Sequence, residues 1–263
     1  MAFSISDLFI YPIKSLGGIS VDKAFAEKEG FQHDRRWMLV DTNGRFLSQR
    51  EHHEMALFSS SLSASHLSIT FDHDKIDIPL TDTSGTTQMV TVWDHTVNAT
   101  EVDVQISAWF SDKLKQKCKL VRMIESTNRI KEFPKKPYKS QVSFADGYPY
   151  LILGTASMNL LNQKLDAPLN VNRFRPNIVV DTTEAHEEDR WEDFRINEVE
   201  MRIVKPCARC VVTTIDQRTG ARGKEPLKTL AGYRKWDKMI YFGANGILLS
   251  SGVVNKGDQI QLS

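Results

Sequence analysis

Arg35–Arg50 reads RRWMLVDTNGRFLSQR. An apolar run, Trp-Met-Leu-Val, is followed by Asn43-Gly44 and a second run, Phe46-Leu47. Asn-Gly between apolar runs is the strongest short-range hairpin signal, because a tight two-residue turn needs residues that tolerate positive φ. The stretch therefore predicts paired strands, and the sequence on either side agrees. Upstream, SISDLFIYPIK alternates. Downstream, LSITF and KIDIPL bracket a polar turn, and TQMVTVWDHTVNATEV is rich in Val and Thr. Short strands at this spacing predict a small barrel or sandwich.

The period changes in DVQISAWFSDKLKQ, where Ile106, Trp109, Phe110 and Leu114 recur at helical spacing behind Asp103, a candidate cap. CKLVRMI reads as a strand, and Glu125 to Lys139 as a loop. A boundary near residues 120–125 divides the chain into units 1–122 and 123–263. In the second unit SFADGYPYLILG is a turn into a buried strand, and TASMNLLNQKL is a helix with Thr155 as its cap. NRFRPNIVVD, VEMRIVK and VVTTID read as strands, and EPLKTLAGYRK as a short helix with Pro226 in its first turn. MIYFGANGILLS and DQIQL close the chain as strands. The expected fold class is mainly β with some helices (α+β), in two packed β-rich units.

The 263 residues carry 34 Lys and Arg against 33 Asp and Glu. That balance argues against a general nucleic-acid binder, though it leaves room for a basic pocket holding one anion. No apolar stretch is long enough to span a membrane as a helix. The first residues alternate like a strand and lack the pattern of a signal peptide. Three cysteines in such a chain argue against a disulfide scaffold and for a reducing compartment.

Two of them stand in KPCARCVVTTID, Lys205 to Asp216. Structural zinc takes four ligands, and no second pair or spaced histidines accompany Cys207 and Cys210. A dithiol redox pair normally opens a helix, whereas the β-branched run after Cys210 favours a strand. Both cysteines serve equally as small buried hydrophobes. Lys205 and Arg209 flank the pair, and nearby cations favour thiolate. Arg173 and Arg175 would share one face of a strand, with Pro176 biasing Arg175 toward extended backbone. Lys14-Ser15 precedes two glycines, without the order of a Walker loop, and Arg35-Arg36 follows His33-Asp34. Each is an ordinary surface charge taken singly; converging, they suit an anionic, phosphate-bearing cofactor.

Together, YPIKSLGG, HDRRWMLVD, FADGYPYLIL, NRFRPNIVV, PCARCVVTTIDQRTG and KEPLKTLAGYR occur in the order of landmarks in a known family. The chain resembles the MOSC-domain molybdenum cofactor proteins and, more closely, is similar to the amidoxime-reducing components and their bacterial relatives. The resemblance implies a MOSC-associated N-terminal β-barrel packed on a β-barrel MOSC domain. It also implies Mo-molybdopterin, the molybdenum cofactor, between the two. It makes Cys210 the protein ligand of molybdenum and assigns Lys14, Ser15, Arg35, Arg175 and Asn177 to cofactor binding. Asp146 falls beside the metal, as a proton relay or an orienting group, and Cys207 is left without a settled role. The implied activity is two-electron reduction of a small N-hydroxylated compound by a molybdenum-dependent oxidoreductase. A separate electron-donor protein of ferredoxin, flavodoxin or cytochrome type would supply it. A non-enzymatic carrier of the cofactor or of sulfur is the alternative.

Many bacterial relatives add a C-terminal iron–sulfur domain, and this sequence stops at Ser263 without those cysteines. The expectation is an external donor or a shortened chain. With no targeting segment, the expected location is the cytoplasm. The basic stretch Glu125 to Lys139, with Lys135 and Lys136, is either a solvated loop or a docking site for an acidic donor.

Overall fold

The computed structural model describes residues 3–81, 84–125, 127–132 and 139–263. The fold is the mainly β (α+β) arrangement expected. Among the described residues the α-helices are α1 (Val104–Leu114), α2 (Thr155–Gln163) and α3 (Leu227–Ala231).

Seven strands close a barrel. In order around it they are Tyr150–Gly154, Ile178–Asp181, Phe3–Ile10, Gln259–Leu262, Asp193–Ile196, Val199–Ala208 and Met239–Ser250, and the last pairs back to the first. The pair Tyr150–Gly154 and Ile178–Asp181 is parallel, and α2 lies in the crossover that a parallel pair requires. Phe3 and Ile5 point inward, and so do Leu8 and Ile10. Strict alternation cannot bury both pairs. The register shift between Ile5 and Asp7 inserts one residue and restores the match, which is the work of a β-bulge. The first strand is thus a stave of a barrel built otherwise from the second half of the chain.

Beside the barrel stands a four-stranded sheet ordered Trp37–Val40, Lys119–Met123, His95–Glu101, Thr87–Val92. Trp37 and Leu39 enter one core with Phe58, Leu67, Leu120 and the α1 residues Ile106, Phe110 and Leu114. Met38 and Val40 enter another with Phe46, Val90 and Phe144. The sheet is covered on both faces, hence the unbroken apolar run. Asp103 caps α1 as expected, its carboxylate accepting from the backbone of Gln105 (2.7 Å) and Ile106 (3.2 Å).

Several local expectations are corrected. The Asn43-Gly44 signal marks a three-residue loop, because the Asp41 carboxylate accepts from both Asn43 N and Arg45 N, and Gly44 takes φ +78°. The returning run shrinks to a bridge between Val40 and Phe46. Gly154, not Thr155, is the cap of α2; the Thr155 hydroxyl accepts from Thr182 N instead. NRFRPNIVVD is strand only from Ile178. Val171–Phe174 is a 3-10 turn capped by Asn170, and Arg175 is left-handed at φ 57°, so Arg173 and Arg175 do not share a strand face. VVTT is likewise a 3-10 turn, since the Thr213 and Thr214 hydroxyls donate back to Cys210 O and Val211 O. Within Glu125 to Lys139, Ile130–Glu132 pairs with Lys139–Gln141. Arg129 there is buried, donating to Ser143 O and Ala145 O, so it adds nothing to an exposed basic loop. Lys135 and Lys136 lie outside the described residues.

Candidate functional site

A cavity of about 540 Å³ opens where the barrel meets the N-terminal unit. Its wall brings together all of Lys14, Ser15, Arg35, Asp146, Arg175, Asn177 and Cys210. The segments carrying them are far apart in sequence, and long-range pairing assembles them.

Cys210 is delivered by the strand Val199–Ala208, whose end pairs Ala208 with Tyr241 while Arg209 N donates to Ile240 O at 2.7 Å. The turn Val211–Thr214 follows at once. Arg173 braces it, reaching Thr213 O at 3.5 Å and Asp216 Oδ2 at 3.0 Å. The exposed Cys210 thiol receives Arg50 Nη2 at 3.3 Å. Cys207 Sγ is instead held by Arg209 Nη1 at 2.9 Å.

Arg50 is the hinge of the polar network. The same Nη2 donates to Asp146 Oδ2 at 3.1 Å, and the guanidinium stacks over Trp93 at 4.6 Å. Asp146 Oδ1 accepts from Trp93 Nε1 at 3.1 Å and from Lys14 Nζ. Lys14 is buried and also donates to Phe144 O at 2.8 Å. Crowding by protein pushes the Asp146 carboxyl up, but the Lys14 ammonium and Arg50 guanidinium outweigh this and hold it far below the usual carboxylate range. Burial lowers Lys14, and Asp146 works against that shift.

A second cationic wall surrounds Tyr11. The guanidinium groups of Arg35 and Arg175 lie 4.4 Å and 4.3 Å from its ring centre. Arg35 is held by Asp34 Oδ2 (2.6 Å) and Asn177 Oδ1 (3.1 Å), and Arg175 by Leu16 O (2.7 Å). Asn177 also accepts from Leu151 N and donates to Phe9 O, so its amide ties barrel strands together as well as facing the cavity. The ring needs room: a Cβ on Gly18 would lie 2.3 Å from Tyr11 Cε1. Ser15 takes φ +69°, with its carbonyl accepting from Gln49 Nε2 at 2.6 Å.

Among the described residues eight Lys and Arg line the cavity against Asp146 and Glu132, a field suited to an anion. Among the described residues no three His, Cys, Asp or Glu side chains gather into a metal-holding group. With only Cys207 and Cys210 as thiols in its wall, the cavity suits a soft metal that arrives with sulfur ligands of its own. The donor set fits a phosphate-bearing metal cofactor.

Fold and cavity together define a barrel protein with a cation-lined site that carries Cys207 and Cys210 in its wall. Comparison with known proteins names the class. The family described as MOSC N-terminal beta barrel domain matches residues 2–117, and that described as MOSC domain matches residues 139–261. Human mitochondrial amidoxime-reducing component 1 is 28% identical, over 98% of this chain and 82% of its own length. Mitochondrial amidoxime reducing component 2 of Bos taurus is 31% identical with the same coverage. The molybdenum cofactor sulfurase of Oryza sativa subsp. japonica is 28% identical over 97% of this chain and 33% of its own length. The chain belongs to the family of MOSC-domain, molybdenum-cofactor-associated proteins that includes the amidoxime-reducing components. No helix among the described residues is long and apolar enough to cross a membrane.

Sequence reasoning missed Arg50, Trp93 and Tyr11. Arg50 sat at the end of the hairpin stretch with no local mark of function. It also missed the amide clasp of Gln49 and Gln217, 3.2 Å apart, which ties the Ser15 turn to the segment after Cys210.

Proposed function

We propose that this protein is a cytoplasmic, molybdenum-cofactor-dependent oxidoreductase that reduces N-hydroxylated compounds of amidoxime or hydroxylamine type with electrons from a separate redox protein. For a hydroxylamine, R–NH–OH takes up two electrons and two protons and gives R–NH2 and water. The observation that carries the reading is Cys210: its exposed thiol stands in the wall of the cation-lined cavity, contacted by Arg50.

When bound, the cofactor supplies the two-electron couple that breaks the N–O bond. Cys210 would ligate its metal. Lys14, Ser15, Arg35, Arg175 and Asn177 would hold its anionic and pterin parts, the two stacked guanidinium groups being set by Tyr11 before any ligand arrives. Arg50 fixes the spacing between Cys210 and Asp146. Asp146 is the candidate proton relay or orienting group beside the metal. Because Lys14 and Arg50 hold it ionised, the orienting role is the one its surroundings support.

A carrier of the cofactor or of sulfur is the second reading, favoured by the likeness to the rice sulfurase along 97% of the chain. Protein made in a host that synthesises the cofactor separates the two. Near-stoichiometric molybdenum and pterin, lost in Cys210→Ser, together with reduction of benzamidoxime by reduced methyl viologen, is the expected outcome. Cofactor without turnover would favour the carrier. Benzamidoxime reduction by metal-free Cys210→Ser would sink the oxidoreductase reading.

A further inference from the structure

Charge is close to balanced over the whole chain, yet one surface is not balanced. Arg218, Arg222, Lys224, Lys228, Lys235 and Lys238 are all exposed, and Asp237 is the sole exposed acidic residue between positions 218 and 240. Among the described residues none of the six side chains is in an ion pair. Glu225, the other carboxylate there, accepts from Thr229 N. The same stretch carries Trp236, 38% exposed, and Met239, 45% exposed. An exposed apolar pair on a stretch with six unpaired cations against one exposed carboxylate is the makeup of a protein contact surface.

The position of this surface matters as much as its makeup. Ile215 bridges Arg222, and Gly223 N donates to Thr214 O at 2.9 Å, so the first basic hairpin springs from the turn that follows Cys210. The second hairpin pairs Trp236 with Met239. Trp236 stacks on Tyr241, with ring centres 4.1 Å apart and planes 16° apart, and Tyr241 pairs across the ladder with Ala208. The patch is thus the outer face of the same backbone that holds the Cys210 thiol.

We propose that the surface formed by Arg218 to Met239 is the docking site of an acidic, one-electron carrier protein that delivers electrons toward Cys210. The inference rests on the proposed reductase reading, in which two reduced carriers each give up one electron per N–O bond broken. Charge complementarity names the partner: six unpaired cations steer a carrier with a carboxylate-rich face, and Trp236 and Met239 supply the desolvated centre of the contact.

The test measures binding of a purified acidic [2Fe–2S] ferredoxin to the holoprotein, with turnover followed separately. The variant Lys224→Glu, Lys228→Glu, Lys235→Glu, Lys238→Glu is compared with a control of equal charge change, Lys23→Glu, Lys28→Glu, Lys115→Glu, Lys117→Glu. The expected result is wild-type binding that weakens as salt rises, an affinity loss of about ten-fold or more in the patch variant, and little loss in the control. Trp236→Ser is expected to weaken binding with the salt slope retained. Equal losses in patch variant and control, an unchanged patch variant, or no wild-type binding at low salt would each overturn the docking site. Benzamidoxime reduction by methyl viologen, a small donor that needs no docking, should be unchanged in the patch variant. Its absence in wild type tells against the reductase reading, while the binding result still decides the surface.

Discussion

Asp146→Asn tests the electrostatic core of the site. The substitution keeps shape and hydrogen-bonding capacity but removes the charge facing Lys14 and Arg50. Removing one partner of a fully buried pair costs about 3–5 kcal/mol, whereas an exposed pair contributes about 0–1 kcal/mol. This site lies between: the Lys14 side chain is 5% exposed, Arg50 25%, and Asp146 54%. The Asn oxygen also still accepts from Lys14. The expected loss is therefore about 1–3 kcal/mol at pH 7. The pH dependence identifies the cause. The folded carboxyl titrates below its ordinary value of 3.8, so the unfolded chain binds its proton first as pH falls. The stabilisation is complete above that ordinary value and fades below it. Urea unfolding of wild type and variant from pH 7 to pH 3 should show a constant gap that narrows only at the acid end. Lys14→Met combined with Asp146→Asn should cost less than the sum of the single losses. A gap of the same size at every pH, or strict additivity, would refute the ion-pair account.

Further outcomes follow from other contacts. Cys118→Ser should retain molybdenum and pterin where Cys210→Ser loses them, because Cys118 is buried in the N-terminal core beside Ser111, as metal analysis of the two proteins will show. Gly18→Ala should cost about 1–3 kcal/mol in urea unfolding, since the added carbon drives Tyr11 from between Arg35 and Arg175. Asp103→Ala should cost about 1 kcal/mol through loss of the α1 cap. Burial lowers His186 from 6.5 to about 4, with Arg234 adding to the effect. The unfolded chain therefore gains that proton first, and stability should fall as pH drops from 6.5 toward 4. His186→Phe should flatten that part of the curve in thermal unfolding.

The strands and α1 were legible because their signals are local: alternation, helical spacing and a capping carboxylate each lie within a few residues. The plain alternation read in SISDLFIYPIK missed the bulge that slips the register between Ile5 and Asp7. What local pattern cannot encode is which distant segments meet. Arg50 becomes central because the segment after the hairpin passes under Asp146, 96 positions later, and beside Cys210. The misread segments share a cause. In NRFRPN and CVVTT, hydrogen bonds accepted by the Asn170 side chain and donated by Thr213 and Thr214 close tight turns that override strand propensity. Those turns place Arg175 and Cys210 in the cavity wall, so propensity failed at the positions that carry the chemistry. The candidate cofactor-site residues came from the resemblance of ordered motifs, and their convergence on one cavity required the fold.

The stave Phe3–Ile10 has a consequence for how the molecule is made. It is the first described strand to leave the ribosome, and its neighbour Gln259–Leu262 is the last. At about 5–20 residues per second, roughly ten seconds or more pass between the two. Through that interval the early strand must wait with an edge unsatisfied, because the barrel cannot close before its final stave exists. Closure of the barrel therefore waits for Gln259–Leu262, and a nascent chain stalled short of Gln259 would present a complete Cys210 loop in an open barrel.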